Sequence, residues 1–369
     1  MTHFLITHIN DVLPFVQDRK DFVIADKGDY TVIDYVFAGE DTFAHPARIE
    51  CRGIKFAPGG RILARPLHKF RNVGETPELQ PHMLDFTLPH VVMDKLDGSM
   101  IHTAIVNGEV VFMTRMGRTD VARKAERHLT PRIAEWCLAN PDVTPIFEWT
   151  SPDNRIVVRY EDCRLTLLAI RENVDGGYAW PESLDAHSAE MGVDFVRHHN
   201  PAHTNAADFL AYARAIQGAE GFVVRFDNGL WVKAKGDDYV LKHRARDSIL
   251  QEKNILALVL NGGLDDVLPL LDEPGAKAAR EYAASVEDGI GAAAWVLASH
   301  VGAGAHISQR DFAVVHQENI EPHMRSLAFA VRAGQSPDNV IRARIAANCN
   351  SQTQVDANRA LHGATWRLA

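Results

Sequence analysis

Apolar and polar residues alternate with period two along MIHTAIVNGEVVFMTR (100–115), broken only at Asn107-Gly108. That spacing predicts two antiparallel strands joined by a two-residue turn, because both turn residues tolerate positive φ. GFVVRFDNGLWVKAK (221–235) predicts a second hairpin turning at Asp227-Asn228-Gly229, and RLTLLAIRENVDGGYAW (164–180) a third near Asp175-Gly176-Gly177. TPIFEWTS (144–151) reads as a strand, and 120–139 and 206–216 as helical stretches. The strand-to-helix alternation is too irregular for a doubly wound parallel sheet; antiparallel sheets with helices outside fit better. After about residue 245 the texture changes. DSILQEKNILALVLNGG (247–263) reads as one helix and the Ala-rich 274–304 as another. Ser308-x-x-Asp311 reads as a capping box, and Ser336-Pro337 as a further helix start. The expected organisation is a mixed domain over 1–245 and an all-helical domain over 246–369.

Length and composition narrow the class. At 369 residues, 46% hydrophobic and 24% charged, the chain suits a globular protein of two domains. No run nears the roughly 20 apolar residues of a membrane helix, and the start lacks a signal-peptide pattern. The four cysteines are far apart in sequence and read as reduced thiols in a cytoplasmic protein. A net charge of −9 argues against nonspecific coating of nucleic acid. A local basic surface remains open in the tail, where Arg325, Arg332, Arg342, Arg344, Arg359 and Arg367 face only Asp338 and Asp356; a solvated helix surface is the alternative. His198-His199 sits in a polar stretch and reads as loop, not as metal ligands.

Lys95 is the residue that composition does not explain. It ends the apolar run VVMD and opens Lys-Leu-Asp-Gly, where a buried ammonium is costly unless paired or used. Its head lies in water at a strand end, or it is a nucleophile. Lys-x-Asp-Gly arises by chance in about one chain in twenty of this length, so alone it is weak. Three downstream elements, in order, add weight: Phe147-Glu148 in a strand, Glu220-Gly221 opening a hairpin, and Lys233-Ala234-Lys235 on the return strand. Lys233 and Lys235 project to one face, because side chains alternate along a strand. Two such ammonium groups fit a phosphate between them, with the carboxylates of Glu148 and Glu220 near a ribose or a divalent metal. They also fit the polar face of an edge strand.

The ordered set resembles the covalent nucleotidyltransferase superfamily of ATP-dependent ligases and messenger-RNA capping enzymes. ECRGIKF (50–56), ARPLHKFRN (64–72), FEWTSPDNRIVVRY (147–160) and WVKAKGDDYVLKH (231–243) are similar, in order, to segments of the ATP-dependent RNA ligase family typified by the first RNA ligase of T-even bacteriophages. Three positions depart from it. Leu96 stands where an acidic residue is frequent, Arg71 where an aromatic is common, and Thr114-Arg115-Met116-Gly117 matches the basic-plus-glycine motif only loosely.

The resemblance implies an α+β nucleotidyltransferase (ligase-type adenylation) domain with antiparallel sheets, followed by an all-α C-terminal domain, for which the tail arginines leave a role in RNA-substrate specificity open. It implies that Lys95 takes AMP from ATP, passes it to an RNA 5′-phosphate, and is followed by attack of a 3′-hydroxyl. Partial burial and nearby cations are expected to lower the lysine pKa from about 10.4. By the same resemblance, Asp97 positions strand termini or a metal, Gly98 allows close backbone approach, and Glu148 binds the ribose. Glu220 holds the metal and orients Lys95. Arg52, Lys69, Lys233 and Lys235 serve the phosphates, and Tyr239 belongs to the last motif. Val223 packs on adenine or is plain core. Mg²⁺ is the implied ion, RNA the implied partner, and a cleaved tRNA with an end-healing kinase/phosphatase the implied setting, in a bacterial or phage-infected cytoplasm. A DNA ligase, a capping-type enzyme and a non-catalytic RNA-binding protein are the alternatives.

Overall fold

Asn107 and Gly108 adopt φ of 52° and 85°, the left-handed pair that a tight hairpin requires, so the chain reverses there as its pattern predicts. This computed structural model describes residues 4–199, 203–314 and 316–367. Its strands, in chain order, begin with β1 (Phe22–Asp26), β2 (Thr31–Tyr35), β3 (Ile54–Phe56), β4 (Ile62–Ala64) and β5 (Arg71–Asn72). Next come β6 (His90–Lys95), β7 (Ser99–Val106), β8 (Glu109–Met113), β9 (Val143–Thr150) and β10 (Arg164–Glu172). The last are β11 (Asp194–Phe195), β12 (His198–His199), β13 (Gly221–Phe226) and β14 (Trp231–Lys235).

They build three sheets, ordered β1-β2-β3-β4, β11-β10-β9-β7-β8 and β12-β6-β13-β14-β5. Pairing is antiparallel except for β10 with β11 and β14 with β5. Met93, Val223 and Trp231 of the third sheet pack with Ile146 and Ala169 of the second, which sets the two five-stranded sheets face to face. The far side of the third sheet is covered by Phe209, Leu210 and Ala213 of the helix Ala206–Ala215. The far side of the second lies under Ile133, Trp136 and Leu184 of two further helices.

Several expectations need correction. The 120–139 stretch is two helices, Asp120–Ala125 and Pro131–Ala139, parted where Thr130 caps the second ahead of its proline. The hairpin near Asp175-Gly176-Gly177 keeps one bridge, Arg171 to Tyr178; Tyr178 is drawn inward against His68 and Trp231, and no second strand follows. The 247–263 helix is broken at Gln251, whose extended backbone separates Asp237–Leu250 from Glu252–Leu260. His198-His199 forms a short strand on β6, not a loop.

Contacts divide the chain into Met1–Val240 and Leu241–Ala369. Among its described residues the second unit holds helices and no strand, and it centres on a 31-residue helix, Glu273–Ala303, ended at Gly304. Ser308 caps its successor, accepting the Asp311 N–H at 3.1 Å. Of the six tail arginines that left a basic surface open, four are committed inside the unit. Arg325 donates to the Ile320 carbonyl, and Arg332 to those of Gly304 and Ile307. Arg342 pairs with Asp338 and Glu287, and Arg359 with Glu252 and Asp356. Only Arg344 and Arg367 of the six are exposed. No helix among the described residues is long and apolar enough to cross a membrane, and all four cysteines are free.

The first unit carries its own buried charge cluster. Glu50 Oε2 accepts from Arg65 Nε at 3.1 Å and Arg171 Nη2 at 2.7 Å, and both arginines are fully buried. Arg65 also donates to the carbonyls of Phe4, Asn173 and Val174, tying the start of the chain to the β10 turn. Glu50→Gln removes the negative charge between two desolvated guanidiniums, and loss of one member of such a cluster costs about 3–5 kcal/mol. We expect a urea midpoint for this unit lowered to match; an unchanged midpoint would show the cluster to be dispensable.

Candidate active site

The register of three adjacent strands places the chemistry. Gly221 on β13 faces Lys95 on β6 to one side and Lys235 on β14 to the other. Glu220, one residue before it, therefore lies between two lysines. Its Oε2 is 2.7 Å from Lys95 Nζ and its Oε1 2.9 Å from Lys235 Nζ, with the carboxylate side chain 3% exposed. Gly221 has φ 139°, and a β-carbon there would collide with the Ala234 carbonyl, so only glycine lets the strands close over this pair. One step along the same face, Val223 lies between Met93 and Lys233. Val223 is both core and cavity wall.

A cavity of about 810 Å³ opens over this face, walled by Arg52, Lys69, Lys95, Arg115, Glu148 and Lys233 among others. Lys95 reaches it from the end of β6, its side chain 23% exposed. Lys233 has Phe70 beneath it at 5.3 Å, and among the described residues no carboxylate pairs with it. Burial, then Lys69, Lys95 and Arg52, bring its ammonium down to about 7. β14 is not an edge strand at this point, since Val232 and Lys233 pair with β5. Glu148 on β9 is buried, and burial raises its carboxyl to about 7 against the pull of Lys95 and the Gly98 N–H. Lys69 lies over the rings of Tyr35 and Phe43 at 5.3 Å. Arg52 is weakly held, with the Leu67 carbonyl and the Met100 sulfur both at 3.4 Å.

The turn after Lys95 is fixed from below. Asp97 is 2% exposed, and its Oδ2 accepts the N–H groups of Val157 and Val158 at 2.7 Å each. Its Oδ1 accepts the Tyr239 hydroxyl at 2.7 Å, and its own N–H donates to Tyr160. Both Asp97 oxygens thus hold protein groups, which ties this turn to the segment after β9 and to Tyr239. Gly98 permits a close approach, but to the Trp149 carbonyl, where a side chain would collide. Glu220, expected at a metal, likewise has each oxygen on an ammonium group. Among the described residues no cluster of three His, Cys, Asp or Glu could hold an ion.

Two residues at or behind the wall were given no role of their own in the sequence reading. Arg115, from the loosely matching Thr114–Gly117 segment, pairs with Asp34 at 2.7 Å and lies 4.3 Å over the Tyr35 ring. Lys55 lies fully buried behind it, within hydrogen-bond distance of the carbonyls of Thr114 and Arg115 and of His102 Nε2 at 2.6 Å. Its segment ECRGIKF was matched as a whole, and the lysine itself stood out only as a charge inside the apolar strand Ile54–Phe56. Leu96 and Arg71, the two further departures, are half-buried, Leu96 in the cavity wall and Arg71 5.9 Å from the Phe43 ring.

The depressed Lys233 carries a stability consequence. The unfolded chain keeps this proton up to the ordinary 10.5 while the folded one releases it near 7, so the cost of burying the charge is complete below pH 7 and fades as pH rises to 10.5. Lys233→Met should therefore raise the urea midpoint at about pH 7 and lose that advantage toward about pH 10. A pH-independent difference would refute the cause given.

Comparison with known proteins supplies independent findings. The sequence profile of a family described as RNA ligase matches residues 50–250. A protein of Thermovibrio ammonificans that carries the name RNA ligase is 30% identical over 291 residues, 73% of each chain. RNA ligase 1 of bacteriophage TS2126 is 27% identical over 247 residues, 62% of this chain and 60% of the phage protein. Among solved structures, an archaeal ATP-dependent RNA ligase superposes with a TM-score of 0.49 at 16% identity, over 90% of this chain and 78% of that one.

Proposed function

The chain belongs to the RNA ligase family, and from the arrangement around Lys95 we propose that it joins RNA 5′-phosphate and 3′-hydroxyl ends at the expense of ATP. The observation that carries this reading is the pairing of Lys95 and Lys235 through one buried Glu220, beside a Lys233 that no carboxylate among the described residues pairs with. Lys95 Nζ attacks the α-phosphorus of ATP; the N–P bond forms, pyrophosphate leaves, and the amine sheds a proton for which Glu220 is the acceptor in reach. AMP then passes to a phosphate oxygen at the RNA 5′ end, restoring the amine. A 3′-hydroxyl oxygen attacks that 5′ phosphorus, losing its proton as AMP departs.

In this reading Arg52, Lys69, Arg115 and Lys233 hold the triphosphate and stabilise charge on the transferring phosphoryl group. Lys235 shares Glu220 with Lys95 and keeps it aimed. Val223 packs under the adenine and Glu148 accepts from the ribose. Asp97, Tyr239 and Gly98 keep the nucleophile turn rigid. The chain offers the cavity one buried, lightly held carboxylate, Glu148, which suits a Mg²⁺ ion carried largely by phosphates and water, and not an all-protein cage. Such an ion would neutralise charge on the phosphates.

Because the reaction consumes a 5′-phosphate and a free 3′-hydroxyl, ends left by a break that yields the opposite chemistry need prior healing. A kinase/phosphatase acting on a cleaved tRNA loop is the finer form of the reading. Wild-type protein should seal a nicked stem-loop bearing a 5′-phosphate and leave its 5′-hydroxyl counterpart unjoined; joining of both would break the scheme.

The first step is tested directly. Incubation with ATP and Mg²⁺ should add the mass of AMP to the protein, GTP should not substitute, and Lys95→Ala should abolish the adduct in protein that circular dichroism shows to be folded. A Lys95→Ala protein that still acquires AMP would overturn the assignment.

A further inference from the structure

A second cavity, of about 760 Å³, shares the wall residues Asp94 and Leu96 with the first. It lies where the chain crosses from β11, in one five-stranded sheet, to β12, in the other, and its opposite wall is the 159–166 stretch entering β10. That wall is not independent of the nucleophile. Asp97 holds the N–H groups of Val157 and Val158, and Tyr160 of the wall accepts the Asp97 N–H at 3.1 Å. On the other wall the Asp94 N–H donates to the Arg197 carbonyl at 3.1 Å. Both sides of the cleft are thus registered to the residues flanking Lys95.

Its charge is mixed. Arg159, Arg164 and Arg197 line it together with five carboxylates. Asp94 is held by His199 Nε2 at 2.6 Å, and Arg164 lies 3.4 Å from Asp162. Arg159 and Arg197 are exposed, and among the described residues neither is seen in an ion pair. An excess of acids is wrong for a run of phosphates, which needs a basic track. It suits a ligand that brings one or two phosphates and several hydroxyl donors, since carboxylates accept from hydroxyls and guanidiniums grip phosphates.

We propose, building on the ligase reading, that this cleft receives the acceptor strand, the RNA end that carries the 3′-hydroxyl. Arg159 and Arg197 take the last phosphodiesters, and a carboxylate of the wall, Asp194, accepts from the terminal 2′,3′-diol. The donor phosphate and the nucleotide occupy the first cavity. Sealing demands that two ends meet at one phosphorus, and two cavities meeting at Asp94 and Leu96 provide two approaches. The 2′-hydroxyl makes an end recognisable as RNA.

Full-length Arg159→Ala, Arg197→Ala and Asp194→Asn proteins separate the steps. Each should form lysyl-AMP and transfer it to 5′-phosphorylated RNA at rates within about twofold of wild type. With pre-adenylated RNA and no ATP, each arginine variant should raise the KM for a 3′-hydroxyl oligonucleotide about tenfold, as expected for one lost charge-assisted bond. Wild type should prefer an acceptor ending in ribose over one ending in 2′-deoxyribose, and Asp194→Asn should erase that preference. Unaltered acceptor KM in both arginine variants would overturn the assignment, as would an equal loss in AMP transfer to the 5′ end, which would make this the donor cleft. If wild type itself forms no lysyl-AMP, the ligase reading falls; if it does and only the acceptor measurements fail, the cleft assignment alone falls.

Discussion

Everything at the site depends on one buried carboxylate shared by two ammonium groups. Glu220 is almost fully out of water and is compensated on both oxygens, by lysines from the two strands that flank its own. The arrangement is tolerable only because the register is strict: slipping β13 by one residue would send its side chain to the far face of the sheet and leave buried charges unmatched. The same register puts Lys233 two residues back on that face, beyond reach of Glu220. Burial first, and then Lys69, Lys95 and Arg52, hold its ammonium down, in a site where negative charge is scarce.

That deficit is local. The chain as a whole carries −9, yet the cavity wall concentrates Arg52, Lys69, Lys95, Arg115 and Lys233 against Asp34, Asp94 and a Glu148 poised near 7. Asp34 is already spent on Arg115. Preorganised cations in a partly enclosed site stabilise a transferring phosphoryl group without reorganising during the reaction. Lys55 extends the logic inward: its bonds to the carbonyls of Thr114 and Arg115 hold the backbone from which the arginine projects.

What the sequence made legible is what local chemistry decides. Asn107-Gly108 and Asp227-Asn228-Gly229 turn where their conformational freedom says, and β6, β9, β13 and β14 carry the residues their alternation assigns. Partnerships across the fold were not legible. Tyr178 shows no local sign that it will turn inward to His68, and so the third hairpin lacks the return strand its pattern predicts. The tail arginines looked like a surface because composition does not reveal that Glu252 and Glu287, far back in the chain, take up two of them. Asp97 is the same kind of case: the short motif identified it, but only the fold shows that it binds Val157, Val158 and Tyr239.

Asp97 also explains why the motifs must occur together. It sits two residues after Lys95, grips the segment that follows Glu148 through two backbone N–H groups, and takes the hydroxyl of Tyr239 from beyond Lys235. Partners 60 and 142 residues farther along the chain therefore converge on one side chain. A carboxylate with all these donors has no incentive to move. The turn bearing Lys95 is held on one side by Glu220 and from below by Asp97, so its ammonium group has little freedom except toward the cavity, the restriction of orientation that a positioned reacting group requires.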